Sequence, residues 1–426
     1  MSKEARPESP GSTYRAGLPL PVALAVFLPF AGGYFLSYIF RTVNAVIAPE
    51  LVADIHLNAA DLGLLTSVYF LSFALFQLPL GLLLDRFGPR RVEAILLLFA
   101  AIGAALFAFA DSLAALIVGR AFIGLGVSCC MMASFKAFVM WFPPQRLPAL
   151  NGGLMTFGAL GAITATMPVE WWLVTLSDWR GLFLALAGFS ATVAFVVFRI
   201  VPDHHEAPLH LTLRDQLGGL AVIFRDGFFW RIGVGSAMSQ GASLAIAGLW
   251  AGPWLRDVAG LDRAGVAAHL MIIAIAMGVG FFTMGMLAEK LNRLGVRPVT
   301  LAGTGMAAFS LVMLVLTLGI DMGLWLTLGA FGFLATSGSL SYAIISQHFP
   351  RQLAARANTA QNLLVFVFAF AMQWAIGAVL GAWEDPLTRR YAPQGYQLAF
   401  GAITVLQVVA LAWFFTVFRT SARPAH

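Results

Sequence analysis

Gly81-Leu82-Leu83-Leu84-Asp85-Arg86-Phe87-Gly88-Pro89-Arg90-Arg91 leaves one long apolar run and leads into another at Ile95. Between the two runs, glycine and proline break the helical pattern, and three arginines crowd in beside an aspartate. Two membrane-length segments joined by so short a turn have to be antiparallel neighbours. The arginine cluster marks the face of the bilayer on which the turn lies.

Outward from that turn, the chain is apolar almost throughout. Of its 426 residues, 60% are hydrophobic and 11% charged, where a soluble domain carries about 25% charged residues. Apolar runs of about 18 residues or more read as membrane-spanning helices. Twelve such runs recur: 20–47, 60–84, 92–110, 113–141, 148–168, 180–200, 230–252, 264–288, 298–318, 322–347, 355–380 and 396–418. None alternates in the way short barrel strands would. The expected class is therefore an all-α membrane protein with twelve transmembrane helices, its surface facing the lipid bilayer. Residues 1–19 and 419–426 read as cytoplasmic tails, the first of them disordered. The run that follows the first tail is too long for the core of a cleaved signal peptide. Cys129 and Cys130, the only cysteines, are adjacent in an apolar run and suit helix packing better than a disulfide or a metal site.

The net charge of +6 does not point to nucleic acid. With both termini inside, most of the 26 Lys and Arg residues fall on the cytoplasmic side. Arg180, Arg256, Arg263, Arg389 and Arg390 fall opposite, and Arg41, Arg120 and Lys136 lie within helices. That asymmetry is the positive-inside pattern of an inner-membrane protein.

The longest internal polar interval, 201–229, joins a six-helix half at 20–200 to another at 230–418. Its His204 and His205 read as solvated residues, and no metal site is expected. The halves repeat one another. Phe142-Pro143-Pro144-Gln145 with Asn151 matches Phe349-Pro350-Arg351-Gln352 with Asn358 at the same separation. The opening turn has a weaker copy in Gly285-x-Leu287-x-Glu289-Lys290 followed by Gly295-x-Arg297.

The pattern G-x-L-x-D-R-x-G-x-R-R at Gly81–Arg91 resembles the loop between helices two and three of the major facilitator superfamily. With the twelve runs, the duplication and the central linker, the resemblance covers about residues 20–418. It implies two pseudo-symmetric six-helix bundles and a secondary transporter working by rocker-switch alternating access, not an enzyme, and with no cofactor. In that reading Gly81 and Gly88 allow close helix contact and a tight turn. Asp85, Arg86 and Arg90 would make bonds that break and re-form as the halves rock.

Charges inside the apolar runs are costly and point to function. Tyr34, Tyr38 and Arg41 fall at i, i+4 and i+7, one helical stripe with Asn44 three residues on. Arg120 lies in Gly119-Arg120-x3-Gly124-x-Gly126, which resembles the superfamily's helix-four pattern R-x-x-x-G-x-G. Lys136 lies closer to a helix end, within reach of the interface by snorkelling. No Asp or Glu occupies a helix centre on this reading, with Glu93 placed near a cytoplasmic end. An anionic cargo would supply the missing countercharge, and the planar arginine fork suits a carboxylate.

Tyr38–Pro49 also resembles the helix-one pattern Y-x-D-R-x-N-x-S-x-A-x-P of the anion:cation symporter branch. Phe40 and Val127 stand where that branch carries acids, so anion recognition transfers more readily than symport. In the second half, Gln240 and Tyr342 are the preferred contacts. The expected cargo is a small organic anion, with protons or a counter-transported anion as open coupling partners, and a monomer is expected. The alternative reading is a proton-coupled exporter of drugs or other lipophilic compounds.

Overall fold

The computed structural model describes residues 20–143, 146–176, 178–202, 213–385, 388 and 390–416. The expected tails and the stretch containing His204 and His205 lie outside the described residues. What is described is helical, apart from loops and a single bridge between Glu384 and Tyr391.

The longest helix, Ala59–Ala108, has 50 residues. At 1.5 Å per residue it would reach about 75 Å if straight, against a hydrocarbon core of about 30 Å. It is a hairpin instead. Gly88 adopts φ 76° and ψ 160°, open to glycine and costly for any other residue, and Pro89 starts the returning arm. The fold-back shows in the partners of one later helix, where Gly124 abuts Tyr69 and Ser72 while Gly126 abuts Ala100. Tyr69 and Ala100 would be about 46 Å apart along a straight helix.

Counting the two arms separately gives twelve crossings. They are α1 (Leu20–Thr42 continued by Asn44–Ile55), α2 (59–87), α3 (89–108), α4 (Leu113–Trp141), α5 (Leu150–Leu176) and α6 (Trp179–Ile200) in the first half. The second half holds α7 (Gly227–Asp257), α8 (Arg263–Arg293), α9 (Pro298–Leu318), α10 (Leu324–His348), α11 (Arg356–Gly381) and α12 (Pro393–Phe415). A short helix, Leu213–Arg225, precedes α7 and packs through Gly219 against Leu353 and Arg356. Asp226 then caps α7 by accepting from the Phe229 amide, and His348 of α10 lies 3.1 Å from its other oxygen.

Three helices run past a proline and beyond the ends of their apolar runs: α1 to Ile55, α5 to Leu176 and α7 to Asp257. Pro168 and Pro253 come early in a resumed helical segment, where an absent N–H donor removes little.

Two of the seams between the halves are closed by tight contacts. In one, α2 lies on α11: Gly63 touches Gly377 and Phe73 stacks on Phe366 with centroids 3.9 Å apart. In the other, α5 meets α8 where Gly278 abuts Ala159.

Close packing against backbone predicts a fragile position. A Cβ on Gly126 would overlap the backbone of Ala100, whereas one on Gly152 would meet open space. Gly126→Val should lower stability by about 1–3 kcal/mol through overpacking, read as a drop in thermal midpoint. Gly152→Ala should leave the midpoint in place.

Candidate functional site

A cavity of about 310 Å³ lies between the halves, walled by α1, α2, α4 and α5 on one side and α7, α8, α10 and α11 on the other. Arg41 is its only lining Arg, Lys, Asp or Glu among the described residues. The stripe expected on α1 faces it as Tyr34, Tyr38 and Arg41. The guanidinium, 8% exposed, lies 4.6 Å from the centroid of Tyr38, 5.1 Å from Phe366 and 5.6 Å from Phe73. Aromatic faces from both halves thus hold the cation, each contact contributing about 0.5–2 kcal/mol according to how dry it is. No carboxylate pairs with it among the described residues, and its Nε has no hydrogen-bond partner.

Arg120 occupies a different layer. It is 1% exposed and does not line the cavity. Its Nη1 donates to the Phe40 carbonyl at 3.1 Å, and its guanidinium faces the rings of Tyr69 and Phe107. Phe40 lies just before the interruption of α1 at Val43, so Arg120 braces α1 from behind at that break. Asp111, just before the start of α4, pairs with Arg180 at 3.6 Å and not with Arg120. Asn44 is fully buried, lies outside the cavity lining, and has neither side-chain atom bonded.

Lys136 is not at the cavity either; it forms an ion pair with Asp85. The end of α2 lies beside the end of α4, so the pair stays within the first half. Arg90 is held in that half too, donating to the Phe198 carbonyl at 2.5–2.8 Å. Arg86 stacks on its neighbour Phe87. The turn residues expected to reach across the gap therefore have first-half contacts in this conformation. Gly88 makes the turn, while a Cβ on Gly81 would meet nothing.

In the second half, Gln240 and Tyr342 both line the cavity. Gln240 donates to Ser236 Oγ at 2.7 Å and to the Gly338 carbonyl at 3.3 Å. The Tyr342 hydroxyl donates to Asn362, whose amide donates across the interface to Gln77. Asn151 and Asn358 are the matched pair of the internal repeat. Both line the cavity, and each has a buried, unpartnered Oδ1. Their matched spacing was the available signal.

A larger cavity, about 510 Å³, opens toward the face opposite the chain ends. At its edge Arg263 of α8 pairs with Glu50 of α1 and with Glu170 of α5, the latter at 2.6 Å. Deeper, Gln373 donates to Thr66 Oγ1 at 2.7 Å. These contacts tie the halves together between the central cavity and that face, and they shut the central cavity off from it. The buried cation lies in the smaller cavity, and the ion pairs between the halves border the larger one.

Two six-helix bundles around a central polar cavity, shut off from one side, have the architecture of a membrane carrier. The model of the Major Facilitator Superfamily matches residues 30–372, and the chain belongs to that family. A probable sulfoacetate transporter of Cupriavidus necator is 27% identical over 275 residues, 61% of this chain and 63% of that one. The nitrite extrusion protein of Bacillus subtilis is 26% identical over 383 residues, 86% and 87% of the two chains. Among solved structures, a bacterial homologue of the human lysosomal transporter Spinster, inward-facing and unoccupied, superposes with a TM-score of 0.75 at 18% identity. That superposition covers 95% of this chain and 98% of the other. The protein is thus a multi-pass membrane protein of that family, and it matches 41% and 63% of the length of two of the curated relatives it resembles.

If Arg263 closes the far side, Arg263→Gln should open it. A cysteine placed at Ser243, in the lining of the central cavity, should then react several-fold faster with a membrane-impermeant thiol reagent added from that face. Glu50→Gln combined with Glu170→Gln should have the same effect. Unchanged labelling in both variants would remove the closing role.

Proposed function

We propose that this transporter carries a small organic anion, a carboxylate or sulfonate, across the inner membrane by alternating access, with both termini in the cytoplasm. One observation carries the reading: Arg41 faces the central cavity as a buried cation without a protein carboxylate to neutralise it. A bound anion neutralises it, and the planar guanidinium matches the two oxygens of a carboxylate or sulfonate. The unpartnered oxygens of Asn151 and Asn358 accept from donor groups elsewhere on the cargo, and Gln240 and Tyr342 complete the polar lining. Arg120 supports this site by fixing α1 and does not touch the cargo. The sulfoacetate and nitrite relatives agree with an anionic cargo.

The walls also hold Phe73, Phe135, Met131, Met155 and Phe366, which favours the lipophilic-export reading as the second possibility. A thermal-shift screen of the purified protein against carboxylates, sulfonates and lipophilic cations separates the two. Stabilisation by anions alone supports the first; stabilisation by cations or neutral drugs alone replaces it with the second. Arg41→Ala should weaken anion binding by at least about 2 kcal/mol, some 30-fold, with the fold intact. Arg41→Lys should recover part of the loss, because it restores the charge but not the fork. Anion uptake in proteoliposomes at the wild-type level with Arg41→Ala would exclude Arg41 as the charge partner.

A further inference from the structure

A carboxyl group sealed inside the first half has no part in cargo recognition or in closing the far side. Glu93, in the first turns of α3, is 0% exposed, and neither of its carboxyl oxygens has a hydrogen-bond partner. Gly33 of α1 and Cys130 of α4 enclose it. A Cβ on Gly33 would run into Glu93 Oε1 and would lie 3.6 Å from the Cys130 sulfur. Those neighbours adjoin the central cavity in sequence, since Gly33 precedes Tyr34 and Cys130 precedes Met131, both of which line it. Glu93 is therefore one layer behind the cavity wall, although its place near the start of an apolar run suggested an interfacial position.

Few other ionisable groups share this environment. From α4 there are the Cys130 and Cys129 thiols, both buried. The nearest on α1 is Tyr34, whose hydroxyl is directed to the sulfurs of Met155 and Met131, with Arg41 two turns further along. Helix α6 has none between Arg180 and Arg199, at its two ends. Asp85 and Lys136, nearer the membrane face, satisfy each other. Among the described residues no cation pairs with Glu93 and no donor bonds it, and Arg90, one turn earlier on α3, donates to the Phe198 carbonyl. An ionised carboxylate is at its most costly in such a setting. The wall covering it is also where α4 breaks, at Ser128–Cys129, immediately before Cys130.

We propose that Glu93 is a proton-binding site of the transport cycle. It holds its proton while the far-side-closed conformation seals it and exchanges that proton when movement of α1 and α4 admits water. On release the carboxyl O–H bond breaks, the proton passes to water and the carboxylate remains; the reverse step reloads it. The proposal rests on the transporter assignment and not on the charge of the cargo. An isosteric glutamine reproduces the neutral acid, so a merely structural Glu93 would tolerate replacement with no change in pH response.

The test needs no cargo. Spin labels at Arg146→Cys and Asn292→Cys, exposed sites on opposite halves at the face carrying the chain ends, report the separation of the halves; Cys129 and Cys130 are buried. The population of conformers should shift between about pH 4 and about pH 9, the range spanned by ordinary and sealed carboxyls. Glu93→Gln should lose that shift and stay at the low-pH distribution of the parent. Glu93→Asp, which keeps the carboxyl, should retain a response with a displaced midpoint. The proposal is overturned by a parent that does not respond to pH, by a Glu93→Gln variant that titrates like the parent, or by an undisplaced Glu93→Asp midpoint. Because no anion is used, none of these outcomes depends on the anion reading.

Discussion

Inside a bilayer, a backbone carbonyl that loses its helical partner has no water to turn to, and much of this structure follows from that constraint. Interruptions in the helices occur at Val43 in α1, at Ser128–Cys129 in α4, at Ile246–Trp250 in α7 and at Thr336–Ser339 in α10. Each of these helices contributes to the central cavity. Polar side chains meet carbonyls beside three of the breaks: Arg120 bonds Phe40, Gln77 bonds Ser128, and Ser236 and Gln240 share Gly338. The same side chains fix where the cavity wall lies. Gln77 also accepts from Asn362 of the other half, which joins a backbone repair to the interface between the bundles.

The interruptions obey the duplication. Positions 43 and 250 are separated by the same interval as 151 and 358, and so are 129 and 336. Irregular backbone at matching places in both repeats argues that the breaks belong to the inherited plan of the bundle. They also supply the places where α1 and α4 can bend without unfolding.

Much of this was legible in the chain because the membrane restricts what a sequence can mean. Run lengths reveal the crossings, Gly88 with Pro89 reveals the hairpin, and Arg41 is conspicuous because a charge in an apolar run has so few benign explanations. Relations between helices were less accessible. Arg41 and Arg120 lie at similar sequence depths, yet one faces the cavity and the other a carbonyl exposed beside a break that composition does not betray. Lys136 looked like a lone cation because its partner, Asp85, is on another helix. Glu93 was misplaced because its depth was measured from the start of an apolar run, while its burial is decided by Gly33, whose missing side chain leaves the space that it fills.

The unbalanced guanidinium of Arg41 has an electrical consequence. An empty central site carries one fixed positive charge, and a bound monovalent anion would cancel it. Reorienting the empty site then displaces charge across the membrane while reorienting the loaded site displaces little. A full elementary charge crossing 100 mV corresponds to about 2.3 kcal/mol, and the part of that field which the site traverses acts on the return of the empty carrier. Membrane voltage would thereby set the pace and direction of the cycle through the step in which nothing is carried.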